Sequence, residues 1–212
     1  CVHSLKDVPA EENPALPIGA YSAQESPGDV LVLPEGASDW DAAAPVGCAS
    51  LRRSMQFQQL HPDAAVRPVR GNVLTRLEKL DRGEYGALIL AEAGLKRLDL
   101  SHRIHQRFSP EQMVPAAGQG VMVTQSRAGE YAELLEKLNH PDVALCAKTE
   151  RRLSALLGGD CSAPVGCHAR CSGTQMTLYG FSGMGGVPKR AVVQGNARDA
   201  AVLAEELARQ LA

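Results

Sequence analysis

The sequence has few aromatic residues, which make up 4% of its 212 positions and include one tryptophan. We therefore expect a core of leucine, valine, isoleucine and alanine. No apolar run exceeds five residues, as at 87–91, whereas roughly 20 are needed to cross a bilayer. The opening CVHSLKDVPAEE has neither the basic nor the apolar region of a secretory signal. We expect a cytoplasmic protein with no membrane partner and, since no initiator methionine is present, an incomplete chain.

Cysteine is present at six positions, but not in the spacing that typifies a structural metal site. Without an export signal, free thiols are the expected state. Cys161, Cys167 and Cys171 lie near His168 but lack the close C-x2-C pairs of zinc sites. We therefore expect no metal, and a redox or metal-sensing protein is kept as a third alternative.

The sequence has no large excess of charge of one sign, and its formal net charge is −2. Because nucleic-acid binding usually needs a strongly basic surface, we expect no nucleic-acid partner. The average hides a pattern: residues 1–51 carry one lysine against eight acidic residues, whereas residues 52–107 carry eleven basic against six acidic residues. Arginine outnumbers lysine by 16 to 6. Because arginine binds carboxylates and phosphates through two parallel hydrogen bonds, this pattern favours a small anionic ligand.

Apolar segments alternate with amphipathic ones through the first half of the chain. We predict strands at 29–33, 45–49, 65–69 and 87–91, with helices at 51–60 and 73–82 between them. Strands separated by helices predict parallel βαβ units. The last third, with alternating segments at 176–181 and 190–194 and a final helix at 197–211, predicts a small α+β unit.

Two segments near strand ends carry polar side chains that could act chemically. In VHSLKDVP, residues 2–9, a hydroxyl, an ammonium and a carboxylate follow one another at Ser4, Lys6 and Asp7. Taken alone, this octet favours an exposed turn. In SLRR, residues 50–53, two arginines open a helix although the helix dipole disfavours cations there. Binding of an anion explains Arg52 and Arg53 better than a solvated face does.

Two further segments contain glycine beside side chains that could act chemically, one at a strand-to-helix junction and one on a loop. RGNVLTR, residues 70–76, places Asn72 as a helix N-cap between two arginines, and it lacks the ending of a nucleotide-binding Walker loop. GGDCSAPVG, residues 158–166, places Cys161 on a tight loop after a helix. This cysteine is either an ordinary free thiol or a nucleophile or attachment point.

Together these segments resemble the hydroxymethylbilane synthase family, also called porphobilinogen deaminases. The motifs occur in the family's order: VHSLKDVP, SLRR, VRGNVLTRLEKLDRGEYGALILAEAGLKRL, PAAGQG and GGDCSAPVG. The resemblance implies a transferase that joins four porphobilinogen molecules head to tail, with loss of ammonia, on a covalently bound dipyrromethane primer. Its implied partners are porphobilinogen and the growing polypyrrole chain, and its implied state is a monomer.

The resemblance also implies roles for individual residues. Cys161 matches the cysteine that carries dipyrromethane through a thioether, and Asp7 matches the catalytic carboxylate. The residues that match further contacts to the cofactor are Ser4, Lys6, Arg52, Arg53, Arg70 and Arg76. The residues that match contacts to substrate are Asn72, Arg97 and Gln119.

The implied fold is α/β, with two domains similar to periplasmic binding proteins and a third that bears the cofactor loop. Residues 1–29 and 115–138 would form part of domain 1, residues 30–114 domain 2, and residues 139–212 the α+β domain 3. The family has further residues before VHSLKDVP, and its REDPRD-like stretch reads QESPGD at 24–29 here. The alternative function is a non-catalytic module that binds small polycarboxylates.

Overall fold

The structure is a computed structural model that describes residues 1–9, 13–159 and 162–212. The strands of these residues are β1 (Val2–Ser4), β2 (Ile18–Tyr21), β3 (Asp29–Val32), β4 (Val46–Cys48), β5 (Val66–Pro68), β6 (Ala87–Ala91), β7 (Ile104–Arg107), β8 (Met122–Gln125), β9 (Val165–Ser172), β10 (Gln175–Ser182) and β11 (Lys189–Asn196). The α-helices are α1 (Leu51–Leu60), α2 (Val73–Asp81), α3 (Glu92–Arg97), α4 (Ala132–Leu138), α5 (Pro141–Leu156) and α6 (Ala200–Leu211). Within the described residues, no helix is both long and apolar enough to cross a membrane.

The strands form three sheets, which confirms a mixed α/β architecture. The first sheet has the order β1-β8-β2, the second β5-β4-β6-β3-β7, and the third β11-β10-β9. The third sheet is antiparallel throughout, and α5 and α6 pack against it through an apolar cluster that includes Leu153, Leu178 and Leu207.

The second sheet is mixed, so the prediction of purely parallel βαβ units is wrong for part of it. β4 lies parallel to both β5 and β6, with α1 and α2 in the connections. β3, however, is antiparallel to both β6 and β7. No described helix lies between β3 and β4, and an antiparallel neighbour does not need the helical crossover that a parallel pair requires.

The second sheet is buried on both faces, which explains why β3 is apolar throughout its last three residues. Val30 and Val32 pack in the cluster that contains Leu77 and Leu80 of α2, whereas Leu31 packs in the one that contains Phe57 of α1. Alternate residues of a strand point to opposite faces. Asp29 is therefore the unusual member of β3, since its carboxylate is also fully buried.

Two segments, 22–28 and 108–121, connect the first sheet to the second. The amide of Glu25 in one segment donates to the carbonyl of Gly120 in the other at 3.0 Å. Gly120 has a φ of +87°, and a Cβ there would lie 2.3 Å from the carbonyl oxygen of Glu25. Only glycine fits this close crossing, which lies beside the polar groups described next.

Candidate functional site

The two arginines that open α1 are buried, and both contact the same internal carboxylate. Arg52 Nη1 donates to Asp29 Oδ2 at 2.7 Å, and Arg53 Nε donates to Asp29 Oδ1 at 2.9 Å. The interpretation of a solvated face is therefore wrong, and the unfavourable helix-dipole position of these cations is offset by an anion within the chain. Burial alone would raise the pKa of Asp29, but the charges of Arg52 and Arg53 lower it to about 2.

Gln119 connects this charged cluster to the crossing segments. Its Nε2 donates to Asp29 Oδ1 at 2.8 Å and to the Pro27 carbonyl at 2.6 Å, while its Oε1 accepts from Arg53 Nη2 at 3.2 Å. The side chain is 1% exposed. Gln119 thereby fixes the position of Arg53 relative to both segments.

The octet VHSLKDVP forms β1 followed by a 3₁₀ turn at Leu5–Asp7, and it is more than an exposed turn. Leu5 is buried and anchors the turn, whereas the Asp7 side chain is exposed. Burial and the nearby charge of Arg53 lower the pKa of Lys6 below its ordinary value. The turn thus presents a carboxylate next to a partly buried ammonium group.

Two cavities meet at this turn. The larger has a volume of about 600 Å³ and the smaller about 250 Å³. Among the described residues, five line both cavities, and all five are predicted site residues: Lys6, Asp7, Arg53, Arg76 and Gln119. The larger cavity extends to Gly159 and Ala163, on either side of the undescribed pair 160–161. The prediction for Cys161 falls on that pair and lies outside the described residues.

The other predicted residues are distributed unequally around these cavities. Arg52 lines the larger cavity, while Ser4 and Arg97 line the smaller. Arg70 and Asn72 are exposed and do not belong to the lining of either cavity.

Of the two arginines in RGNVLTR, Arg76 therefore lines the cavities and Arg70 does not. Asn72 caps α2, since its Oδ1 accepts from the amide of Thr75 at 2.9 Å. Arg76 is half-buried and donates through Nε to the carbonyl of Gly71 at 2.7 Å. Burial and the positive charge of Arg53 lower the pKa of Arg76. Positive charge at Arg76 is thus incompletely compensated, which favours an anionic ligand.

Helix α5 contributes two buried charged residues that the sequence analysis missed. Arg151 donates to the carbonyls of Val8 at 3.1 Å and Pro9 at 2.7 Å, directly after Asp7. Glu150 accepts from the amide of Gly118 at 2.7 Å, directly before Gln119. The adjacent charged residues Glu150 and Arg151 in the sequence were the available signal for both.

Asp29 was also missed as a site residue. It begins an apolar strand, which was the available signal for a buried carboxylate. Within the described residues, no group of three or more His, Cys, Asp or Glu side chains is arranged to hold a metal ion.

Comparisons with known proteins agree with the motif content of the chain. A family model described as porphobilinogen deaminase, dipyromethane cofactor binding domain, matches residues 1–134, and one described as porphobilinogen deaminase, C-terminal domain, matches residues 144–212. The porphobilinogen deaminase of Acetivibrio thermocellus is 46% identical over 180 residues, which is 85% of this chain and 62% of that protein.

Two further relatives match along almost the whole chain. The porphobilinogen deaminases of Ruminiclostridium josui and Coxiella burnetii are each 40% identical over 99% of the chain. The chain covers 72% and 70% of these two proteins, respectively. It therefore spans between three fifths and three quarters of the length of these relatives.

Proposed function

Because the chain belongs to the porphobilinogen deaminase family, we propose that it acts in the head-to-tail joining of four porphobilinogen molecules into hydroxymethylbilane, with loss of ammonia. One observation carries the proposal: Asp7 lies where the two cavities meet, and Lys6, Arg53 and Arg76 line both of them. A carboxylate in cavities that are also lined by cations suits a substrate that carries carboxylates and becomes positively charged during reaction.

The larger cavity fits a dipyrromethane group attached to Cys161. Its volume of about 600 Å³ lies in the range of small-molecule sites, and it reaches the described neighbours of residue 161. Lys6, Arg52, Arg53 and Arg76 would hold the carboxylates of the cofactor, with Ser4 and Arg70 as further predicted contacts. When bound, the cofactor supplies the pyrrole carbon to which the first substrate is joined.

Asp7 would act on the substrate through its carboxylate. Loss of ammonia leaves a cationic pyrrole, and a carboxylate held in a cleft stabilises that developing charge without reorganisation of solvent. The same carboxylate can accept the proton released when the new carbon–carbon bond forms. The 3₁₀ turn and the hydrogen bonds from Arg151 hold the backbone on both sides of Asp7.

The smaller cavity suits the incoming substrate. Its volume of about 250 Å³ is less than half of the roughly 600 Å³ of the larger cavity, as expected for a site that takes one pyrrole and not two. Arg97 and the N-terminal part of α3 line it, and Asp7 lies on its boundary with the larger cavity. We assign porphobilinogen to the smaller cavity and the growing chain to the larger, with Asn72 kept as a predicted substrate contact.

The three sheets support the domain division predicted from the sequence. The first sheet combines β1 and β2 with β8, as expected if 1–29 and 115–138 belong to one domain. The second sheet lies within 30–114 apart from Asp29, and the third lies within 139–212. We propose that the first two units are similar to periplasmic binding proteins, with the cavities between them.

The proposed function is tested by intact-mass measurement and turnover. We expect the purified protein to carry the added mass of two pyrrole units, and Cys161→Ser to carry none. Asp7→Asn should keep the added mass but produce no hydroxymethylbilane, measured as porphyrin after oxidation. The matched control is Asp63→Asn, since Asp63 is exposed and lines neither cavity. Unmodified Cys161, or normal turnover by Asp7→Asn, would contradict the proposal.

A further inference from the structure

Two thiols of the third unit face each other across the contact between α5 and β9. Cys146 lies on α5 and Cys171 near the end of β9, and their Sγ atoms are 3.4 Å apart. Cys146 is buried, whereas Cys171 is half-buried and therefore reachable from solvent. A disulfide joins sulfurs about 2.05 Å apart, so these atoms need to approach by only about 1.4 Å.

The backbone beside the two thiols is held at a fixed spacing. Glu150, one helical turn after Cys146, accepts from the amide of Ala169 at 2.8 Å. Ala169 precedes Cys171 by two residues on the same strand, so their side chains lie on the same face. Both sides of the thiol pair are thus attached to elements that already contact each other, and the pair does not depend on a mobile loop.

We propose that Cys146 and Cys171 form a dithiol site that hydrogen peroxide converts reversibly to a disulfide. The inference does not depend on the proposed function. The Cys171 thiolate attacks one peroxide oxygen, the O–O bond breaks, and water leaves after protonation of the departing oxygen. The Cys146 sulfur then attacks the sulfenic sulfur of Cys171, the S–O bond breaks, and a second water leaves. Two thiols are oxidised to one disulfide, and one peroxide is reduced to two waters.

Exposure determines the order of the two steps. Burial, together with the neighbouring Cys171 thiol, raises the pKa of Cys146 to about 12, so Cys146 is poorly suited to attack peroxide first. Cys167 lies on the same strand but is fully buried, and burial raises its pKa well above the ordinary value. We therefore expect Cys167 to remain reduced.

The disulfide would connect the two elements that flank the loop bearing Cys161. α5 ends at Leu156 and β9 begins at Val165, and the crosslink would join them beyond both ends of this loop. A crosslink restricts the unfolded chain, and we expect the melting temperature of the oxidised protein to rise by about 5 °C.

Peptide mapping tests the proposal on the full chain. The reduced protein is treated with hydrogen peroxide, its remaining thiols are alkylated, and it is digested with trypsin. Cleavage after lysine and arginine places Cys146 in peptide 138–148 and Cys171 in peptide 171–189, each with a single cysteine. Cys161 and Cys167 fall together in peptide 153–170. We expect a linked pair of the first two peptides, two hydrogens lighter than their sum and separated by dithiothreitol.

Variants and competing products make the outcome decisive. Cys171→Ser and Cys146→Ser should each abolish the linked pair, whereas Cys1→Ser, which removes an exposed thiol, should leave it intact. The proposal is overturned if peroxide oxidises Cys1 while Cys146 and Cys171 are both recovered alkylated. It is equally overturned if Cys171 stops at the sulfenic acid or is linked to peptide 153–170.

Discussion

Replacing Asp29 with asparagine removes the carboxylate that Arg52 and Arg53 share. Both guanidinium groups are buried, at 3% and 6% exposure, and Asp29 is fully buried. Removing one partner of a buried ion pair leaves an uncompensated buried charge and costs about 3–5 kcal/mol. We therefore expect Asp29→Asn to lower the free energy of unfolding near neutral pH by about 3–5 kcal/mol.

The pKa of Asp29 gives an independent magnitude for the same effect. Burial alone would raise it, but the two arginines lower it from 3.8 to about 2. Lowering the pKa from 3.8 to about 2 corresponds to roughly 2–3 kcal/mol of stability. Because the folded-state pKa is the lower one, this stability is fully present above the unfolded-state value. It is lost as the pH falls through about 4 towards 2.

Urea unfolding followed by circular dichroism measures both effects. The stability difference between the wild type and Asp29→Asn should shrink by about 2 kcal/mol between neutral pH and pH 2, where the folded-state carboxyl is about half protonated. The matched control is Asp81→Asn, because Asp81 pairs with Arg103 at 2.6 Å but is partly exposed. That pair should contribute about 1 kcal/mol or less. If Asp29→Asn is as stable as the control, or loses stability in acid as the wild type does, the reasoning is refuted.

Three further variants address the backbone around the cavities. Arg151→Lys loses the pair of hydrogen bonds to the carbonyls of Val8 and Pro9. Turnover in steady-state kinetics should fall roughly tenfold to a hundredfold, while intact mass should show unchanged cofactor loading. Gly120→Ala should destabilise by about 1–3 kcal/mol in thermal unfolding, and by more than Gly83→Ala, which has a similar φ but open space around it. Asn72→Ala should cost about 1 kcal/mol of stability as a lost cap; a raised KM as well would indicate that Asn72 also contacts substrate.

Local features of the sequence predicted several elements correctly. α1, α2 and β6 lie within one residue of the predicted bounds, and Asn72 caps α2 as predicted. These features depend on residues a few positions apart: apolar periodicity, a capping side chain and an uninterrupted apolar strand. The antiparallel direction of β3 could not be obtained in this way, because strand pairing depends on segments distant in the chain.

The same distinction applies to the site. The motifs identified Lys6, Asp7, Arg53, Arg76 and Gln119, and the structure brings all five to both cavities. The sequence could not show which residues of different motifs contact one another, because the fold determines those contacts.

Asp29 and Arg151 illustrate these distant pairings. Asp29 lies 23 residues from Arg52, and Arg151 lies 142 residues from Pro9. Both contacts satisfy buried charges or backbone carbonyls, which a folded chain leaves unpaired only at a large energetic cost. A charged residue flanked by apolar residues in the sequence can be expected to be buried. The residue that it pairs with cannot be identified in the same way.

The internal pairing of Asp29 leaves the cavities positively charged. In the described part of the chain, five cations line the larger cavity: Lys6, Arg52, Arg53, Arg76 and Arg151. Against them stand two negative charges, Asp7 in the lining and Asp29 behind Arg52 and Arg53. The pKa values of Lys6 and Arg76 are lowered by burial and by Arg53, which indicates that these cations repel one another. Under the proposed function, a bound carboxylate would relieve that repulsion. Asp29 holds Arg52 and Arg53 in position without a ligand. The buried ion pair would thus support the proposed ligand binding without occupying the place of the ligand.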